Sequence, residues 1–226
     1  MIINKMPIYL YNIYRSPNIG IFAKANEKFL FLPMGYSVSK SKKLAGLLKV
    51  QYFHISIGGA RVLGPLMVMN SNGILVSRFI EEDELNRLKE NTKLRVERFE
   101  SKYTSVGNLI VANDKGCLVA DILSSKEVEQ IRDVLDVPTE RGRVAGYFQV
   151  GSTVFATNVG ALVHPNASDK EIEYISDVLN VPVSAGSVNG GVPFVSSGLI
   201  GNSKGIITGT LTTGPELFII GKVFKM

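Results

Sequence analysis

The sequence predicts a closed α/β ring of five similar units, and three observations carry that prediction. A turn tetrapeptide recurs at near-constant spacing, a helix-start signal follows the later turns at a fixed offset, and a strand-like segment opens the chain while the last unit lacks one. Internal repeats of roughly 20–50 residues mark architectures in which each unit buries its apolar face against its neighbours.

The turns are Asn70-Ser71-Asn72-Gly73, Asn113-Asp114-Lys115-Gly116, Thr157-Asn158-Val159-Gly160 and Asn202-Ser203-Lys204-Gly205, with first residues 43, 44 and 45 apart. Stepping back 44 from Asn70 reaches Asn26, in a copy without the turn glycine. Asn and Gly suit a left-handed hairpin backbone, so the turn asparagines are expected to be structural. Short apolar runs flank each turn, as in Leu109–Ala112 and Cys117–Val119, and predict two paired strands.

A helix follows. Ser124, Ser168 and Thr213 each precede a glutamate by three residues (Glu127, Glu171, Glu216), the capping-box pattern that satisfies amides at a helix start. Behind them, Val128/Ile131/Leu135, Ile172/Ile175/Leu179 and Leu217/Ile220/Phe224 place three apolar side chains on one helical face. The second copy keeps Glu84, Leu85 and Leu88 but has Thr92, and the first keeps only Leu44 and Leu48. The acidic stretch Glu81–Glu84 reads as a helix N-terminus, where negative charge meets the helix dipole. After each helix, Val50, Leu94, Val137 or Val181 opens a third strand. Met226 falls at that place in the fifth copy, and Ile8–Tyr14 is a spare strand ahead of the first hairpin. Joining the two completes the ring and removes exposed sheet edges. No Pro/Gly/Ser tract breaks the register, so residues 1–226 are expected to form one domain.

Composition excludes several classes. With 45% hydrophobic and 20% charged residues the chain can bury a core and is not a disordered tail. No run of eighteen apolar residues predicts a membrane span, and Met1–Leu10, with Lys5 and Pro7, lacks the apolar stretch of a secretory signal. One cysteine, Cys117, excludes an internal disulfide and fits a reducing cytoplasm. The net charge of +5 gives only a mild preference for an anionic partner.

Gly107–Gly116, Thr157–Pro165, Gly186–Pro193, Asn202–Gly205 and Thr212–Leu217 resemble archaeal and eukaryotic translation initiation factor six, and the similarity runs in order through nearly the whole chain. The resemblance implies a five-bladed α/β propeller, or pentein. It also implies an anti-association role: binding the face of the large ribosomal subunit that meets the small one. No cofactor, metal or membrane is implied, and a monomer is expected. Without an extra tail after the fifth helix, the chain looks like the archaeal form.

Two rivals stand beside that expectation. Enzymes that modify guanidino groups share the five-fold architecture and use a Cys, a His and acidic residues, so Cys117, His54 and His164 need weighing. Cys117 follows a turn glycine, where its counterparts are Ile74, Ala161 and Ile206, and reads as a small buried hydrophobe. Neither histidine has a second ligand at a recognisable spacing. The other rival is a general RNA-binding module, for which Lys40, Lys42, Lys43 and Lys49 on the first helix are the candidates against a plain solvated face. Tyr147, Phe148 and Phe155 lie in strand-like runs and read as core.

The segments before the hairpins are small, glycine-bearing and weakly charged, and ring symmetry should gather them at one end. The partner surface is expected there, at Val106, Gly107, Asn108, Gly151, Ser152, Val188, Asn189, Gly190 and Phe194, with a ribosomal protein as the main contact and ribosomal RNA as the lesser one.

Overall fold

Each repeat builds a three-stranded sheet, because two β-rich runs joined by a tight turn pair antiparallel and the run after the helix returns parallel to the second. The computed structural model describes residues 7–225, so the readings over Met1–Met6 and at Met226 lie outside the described residues. Five such sheets form, among them Met67–Met69, Gly73–Val76 and Arg95–Arg98, and Ile110–Ala112, Cys117–Ala120 and Thr139–Gly142. In the fifth sheet the third strand is the N-terminal Ile8–Tyr11, parallel to Gly205–Gly209, with Ile8 opposite Ile206 and Tyr11 opposite Gly209. The sheets close into a five-bladed α/β propeller.

Five long helices, Val38–Leu48, Glu82–Thr92, Ser125–Leu135, Asp169–Leu179 and Gly214–Val223, lie where the apolar spacing puts them. Capping boxes start the helices after Ser124, Ser168 and Thr213, and in the second blade Glu81 takes the cap position, its N–H donating to Glu84 at 3.0 Å.

The core is not inside the blades but between them. Val68 and Leu75 of the second blade pack with Ile110, Val119, Ile131 and Leu135 of the third. Ile200 and Ile207 of the fifth pack with Leu30, Leu32, Leu44 and Leu48 of the first, so the seam that closes the ring is built like the others. At about 1.5–3 kcal/mol for each large apolar side chain buried, no blade holds its apolar surface alone.

The turn asparagines are structural, but for a different reason than a left-handed backbone. Neither Asn26, Asn70, Asn113 and Asn202 nor the turn glycines have positive φ. Instead, each Asn Oδ1 accepts N–H groups of its own turn at 2.8–3.0 Å. Each Nδ2 donates to the next blade: Asn26 to the Asn70 carbonyl, Asn70 to Asn113 and Leu135, Asn113 to Thr157 and Leu179, Asn202 to Asn26 and Leu48. The turn glycines admit the next helix: a Cβ on Gly73 or Gly116 would strike the carbonyl of Val134 or Val178.

Candidate partner-binding site

Ahead of each hairpin the chain makes one tight helical turn where the sequence suggests only a loop: Ile19–Phe22, Gly64–Leu66, Val106–Leu109, Val150–Thr153 and Val195–Gly198. These turns crowd around the axis at the end of the ring away from the Asn turns. Their contacts are backbone to backbone. A Cβ on Gly64 would collide with the Gly20 carbonyl, one on Gly107 with Gly64, one on Gly151 with Gly107, and one on Gly20 with the carbonyl of Ser196, which holds the fifth place. The glycines of these segments are therefore required by close approach of neighbouring blades, and a partner's access does not explain them.

One residue beyond this ring, Ile21, Pro65, Asn108, Ser152 and Ser197 occupy equivalent positions and line a bowl of about 220 Å³ with Phe194 at its side. No charged side chain lines it among the described residues. The Asn108 side chain has no hydrogen-bond partner among the described residues. Ser197 Oγ donates to the Phe194 carbonyl at 2.8 Å.

Phe194 continues the bowl into an aromatic edge. Its ring meets Tyr147 edge-on at 5.3 Å and His164 at 6.0 Å. Tyr147 is 41% exposed and closes a tight turn by bridging to Val144, outside any strand, so the expectation that it is core fails. Phe148 and Phe155 do pack against buried clusters. His164 is buried, its Nδ1 accepting the Asn166 N–H at 3.1 Å; burial lowers its pKa against the pull of Glu171.

Of the nine expected contact residues, the structure brings Asn108, Ser152 and Phe194 together at the bowl. Val106, Gly107, Gly151 and Val188 are buried and do not line the bowl. Asn189 is also buried; its Nδ2 donates to the Pro17 carbonyl at 3.0 Å and ties the fifth blade to the N-terminal segment. Gly190 is exposed and held by Glu216, to which its N–H donates at 3.0 Å. Sequence reasoning missed Ile21, and it placed Pro65, Ser196 and Ser197 in the candidate segments without choosing them as contacts. The signal was present in the register, since each stands five or six positions before its turn.

Between bowl and Asn turns runs a narrow axial channel of about 40 Å³, lined by the first strand of each hairpin and by Lys24, where the equivalent residues are Val68, Val111, Phe155 and Ile200. Burial lowers the Lys24 pKa to about 8.

The catalytic candidates do not converge. Cys117 is fully buried in the core between second and third blades, and burial pushes its pKa far up. His54, on a strand of the first blade, bonds Ser41 Oγ at 2.8 Å, and His164 belongs to the fourth blade. Among the described residues, no three His, Cys, Asp or Glu side chains group so as to hold a metal ion.

A family model described as the eIF-6 family matches residues 8–223. The chain belongs to the eIF-6 family. Translation initiation factor 6 of Nitrosopumilus maritimus is 48% identical over 219 residues, 97% of this chain and 99% of that protein. The protein of the same name from Cenarchaeum symbiosum is 47% identical over the same shares, and that of Pyrococcus furiosus 44% over 89% and 91%. Family members of this name are thus similar from end to end, and those cited are archaeal. Among solved structures, the N-terminal domain of ArgZ(N71S), covalently bound to a reaction intermediate, covers 83% of both chains at 14% identity and a TM-score of 0.48.

Proposed function

We propose that the chain acts in translation initiation by docking the bowl end of its ring on the large ribosomal subunit, so that the small subunit cannot join. It does so as a monomeric, cytoplasmic binding protein, without catalysis and without a cofactor. The observation that carries this reading is the bowl: five equivalent turns present uncharged side chains, those of Asn108, Ser152 and Ser197 polar, beside an aromatic edge. Aromatic anchors and amides with little charge suit a protein interface, whereas contact with RNA calls for Arg and Lys. A protein tail of the large subunit is accordingly the main partner at this end. Membership of the eIF-6 family supports the role in initiation. The buried, protonated thiol of Cys117 supports binding over catalysis, since a nucleophilic cysteine needs its thiolate.

The test is co-sedimentation of the full chain with purified large subunits, small subunits, and both. Binding to large subunits alone, and fewer joined particles when both are present, is the expected result. Binding to small subunits alone, or unchanged joining, would refute the reading. Asn108→Asp places a charge in the bowl without changing shape and should weaken large-subunit binding by about 1–3 kcal/mol through a desolvated, mismatched carboxylate. Undiminished binding by this variant would move the contact to another face.

A further inference from the structure

The first blade departs from the other four on its outer surface, and its own packing does not require the departures. Lys28, in the hairpin turn of this blade, is exposed. The helix Val38–Leu48 has no acidic residue, and a lysine, Lys40, stands where the others carry their capping glutamate. Within that helix sits Gly46, and a Cβ built on it would meet nothing within 4 Å. Glycine weakens a helix interior, so a glycine facing open space has no account in the fold.

Gly46 lies on the floor of a groove. Lys42 and Ala45 of the helix and Lys49 just past its end form one side, and Val50–Phe53 the other. Two shallow, open hollows that share Ala45, Gly46, Val50 and Gln51 make up its length, and it reaches the hairpin turns at Lys28 and Lys204, at the end of the ring away from the bowl. Lys204 Nζ donates to the Glu27 carbonyl at 2.6 Å. The Glu27 carboxylate, which lines one end of the groove, accepts hydrogen bonds from Ser203 and Asn158. Among the described residues four ion pairs form, and none includes Lys28, Lys42 or Lys49.

We propose that this groove binds a single strand of RNA, the three free ammonium groups meeting its phosphates and the apolar floor its bases. Lysines flanking apolar and aromatic surface are the pattern of single-strand sites, where charge tracks the backbone and flat side chains meet the base faces. A duplex would bring only phosphates to that floor. The absence of a side chain at Gly46 keeps the floor open. This goes beyond docking at the bowl, because the groove belongs to the opposite end and needs no ribosomal protein.

The experiment is fluorescence anisotropy of the full chain with a labelled oligouridylate of about 12 nucleotides, within single-strand site sizes. Three lysines predict a slope of log K against log salt of about −2. Lys28→Glu with Lys42→Glu should weaken binding about tenfold or more and flatten that slope. Gly46→Leu, whose side chain enters open space, should weaken binding while the melting temperature holds or rises. Asn108→Asp should leave oligonucleotide binding unchanged, which separates this site from the bowl. No binding at low salt would overturn the proposal, as would binding indifferent to the lysine and glycine variants. Equal affinity for polyglutamate, tighter binding of duplex RNA, or sensitivity to Asn108→Asp would also overturn it.

Discussion

At the scale of single residues, the turn asparagine holds its own turn through Oδ1 and the next blade through Nδ2, and a threonine can do only the first. At Thr157 the hydroxyl stays within its turn, on the Gly160 carbonyl at 3.3 Å. Asn158 then spans the ring from Asp114 at 2.6 Å to Glu27 at 3.3 Å. The axial glycines are equally committed. Gly107→Ala should lower stability by about 1–3 kcal/mol in chemical denaturation, because the obstructing atom is a backbone carbonyl that cannot turn aside. An unchanged midpoint would mean that the turns can separate, and that the close approach is not a constraint.

At the scale of elements, the glutamate that starts the helix in the second, fourth and fifth blades also secures a turn ahead of that helix. Glu84 accepts from Ser56 Oγ and the N–H groups of Gly58 and Gly59, Glu171 from Ala145, and Glu216 from Ser187 Oγ, Gly190 and Gly191. These turns carry positive φ values, at Gly58, Gly59, Ala145, Asn189 and Gly190. Burial alone would raise the Glu216 pKa, but the hydrogen bonds from Thr213, Ser187, Gly190 and Gly191 outweigh it and hold the pKa at about 2. A folded pKa below the unfolded one stabilises the protein fully above about pH 4.5, and that stabilisation fades as pH falls toward 2. Glu216→Gln should therefore cost about 1–3 kcal/mol at neutral pH, and its gap from the parent protein in urea denaturation should narrow on acidification. A gap independent of pH would assign Glu216 a packing role only.

At the scale of the whole molecule, cores placed between blades make the ring stand or fall together. Removing residues through Tyr14 deletes the strand Ile8–Tyr11 and the fully buried Ile13, and it bares the edge of Gly205–Gly209. Several kcal/mol of lost burial and pairing should lower the melting temperature by about 10 °C or more, in one cooperative transition seen by calorimetry. A melting temperature that did not move would argue that the ring is stable while open.

The amino-acid sequence by itself determined the number of units, their order of hairpin, helix and strand, the cap residues, and the strand that closes the ring. These rest on patterns within one unit: alternation, helical spacing, a serine three residues before a glutamate. It also singled out the segments ahead of the hairpins, of which Asn108, Ser152 and Phe194 line the bowl. Only the tertiary structure decided which residues of those segments turn outward, why the glycines are there, and that Ser41 meets His54. Each of those outcomes depends on atoms brought together from separate elements. A repeat of about 44 residues specifies equivalent positions, but the distance between neighbouring backbones is set when the blades pack against one another, and that distance decides what is buried and what a partner can touch.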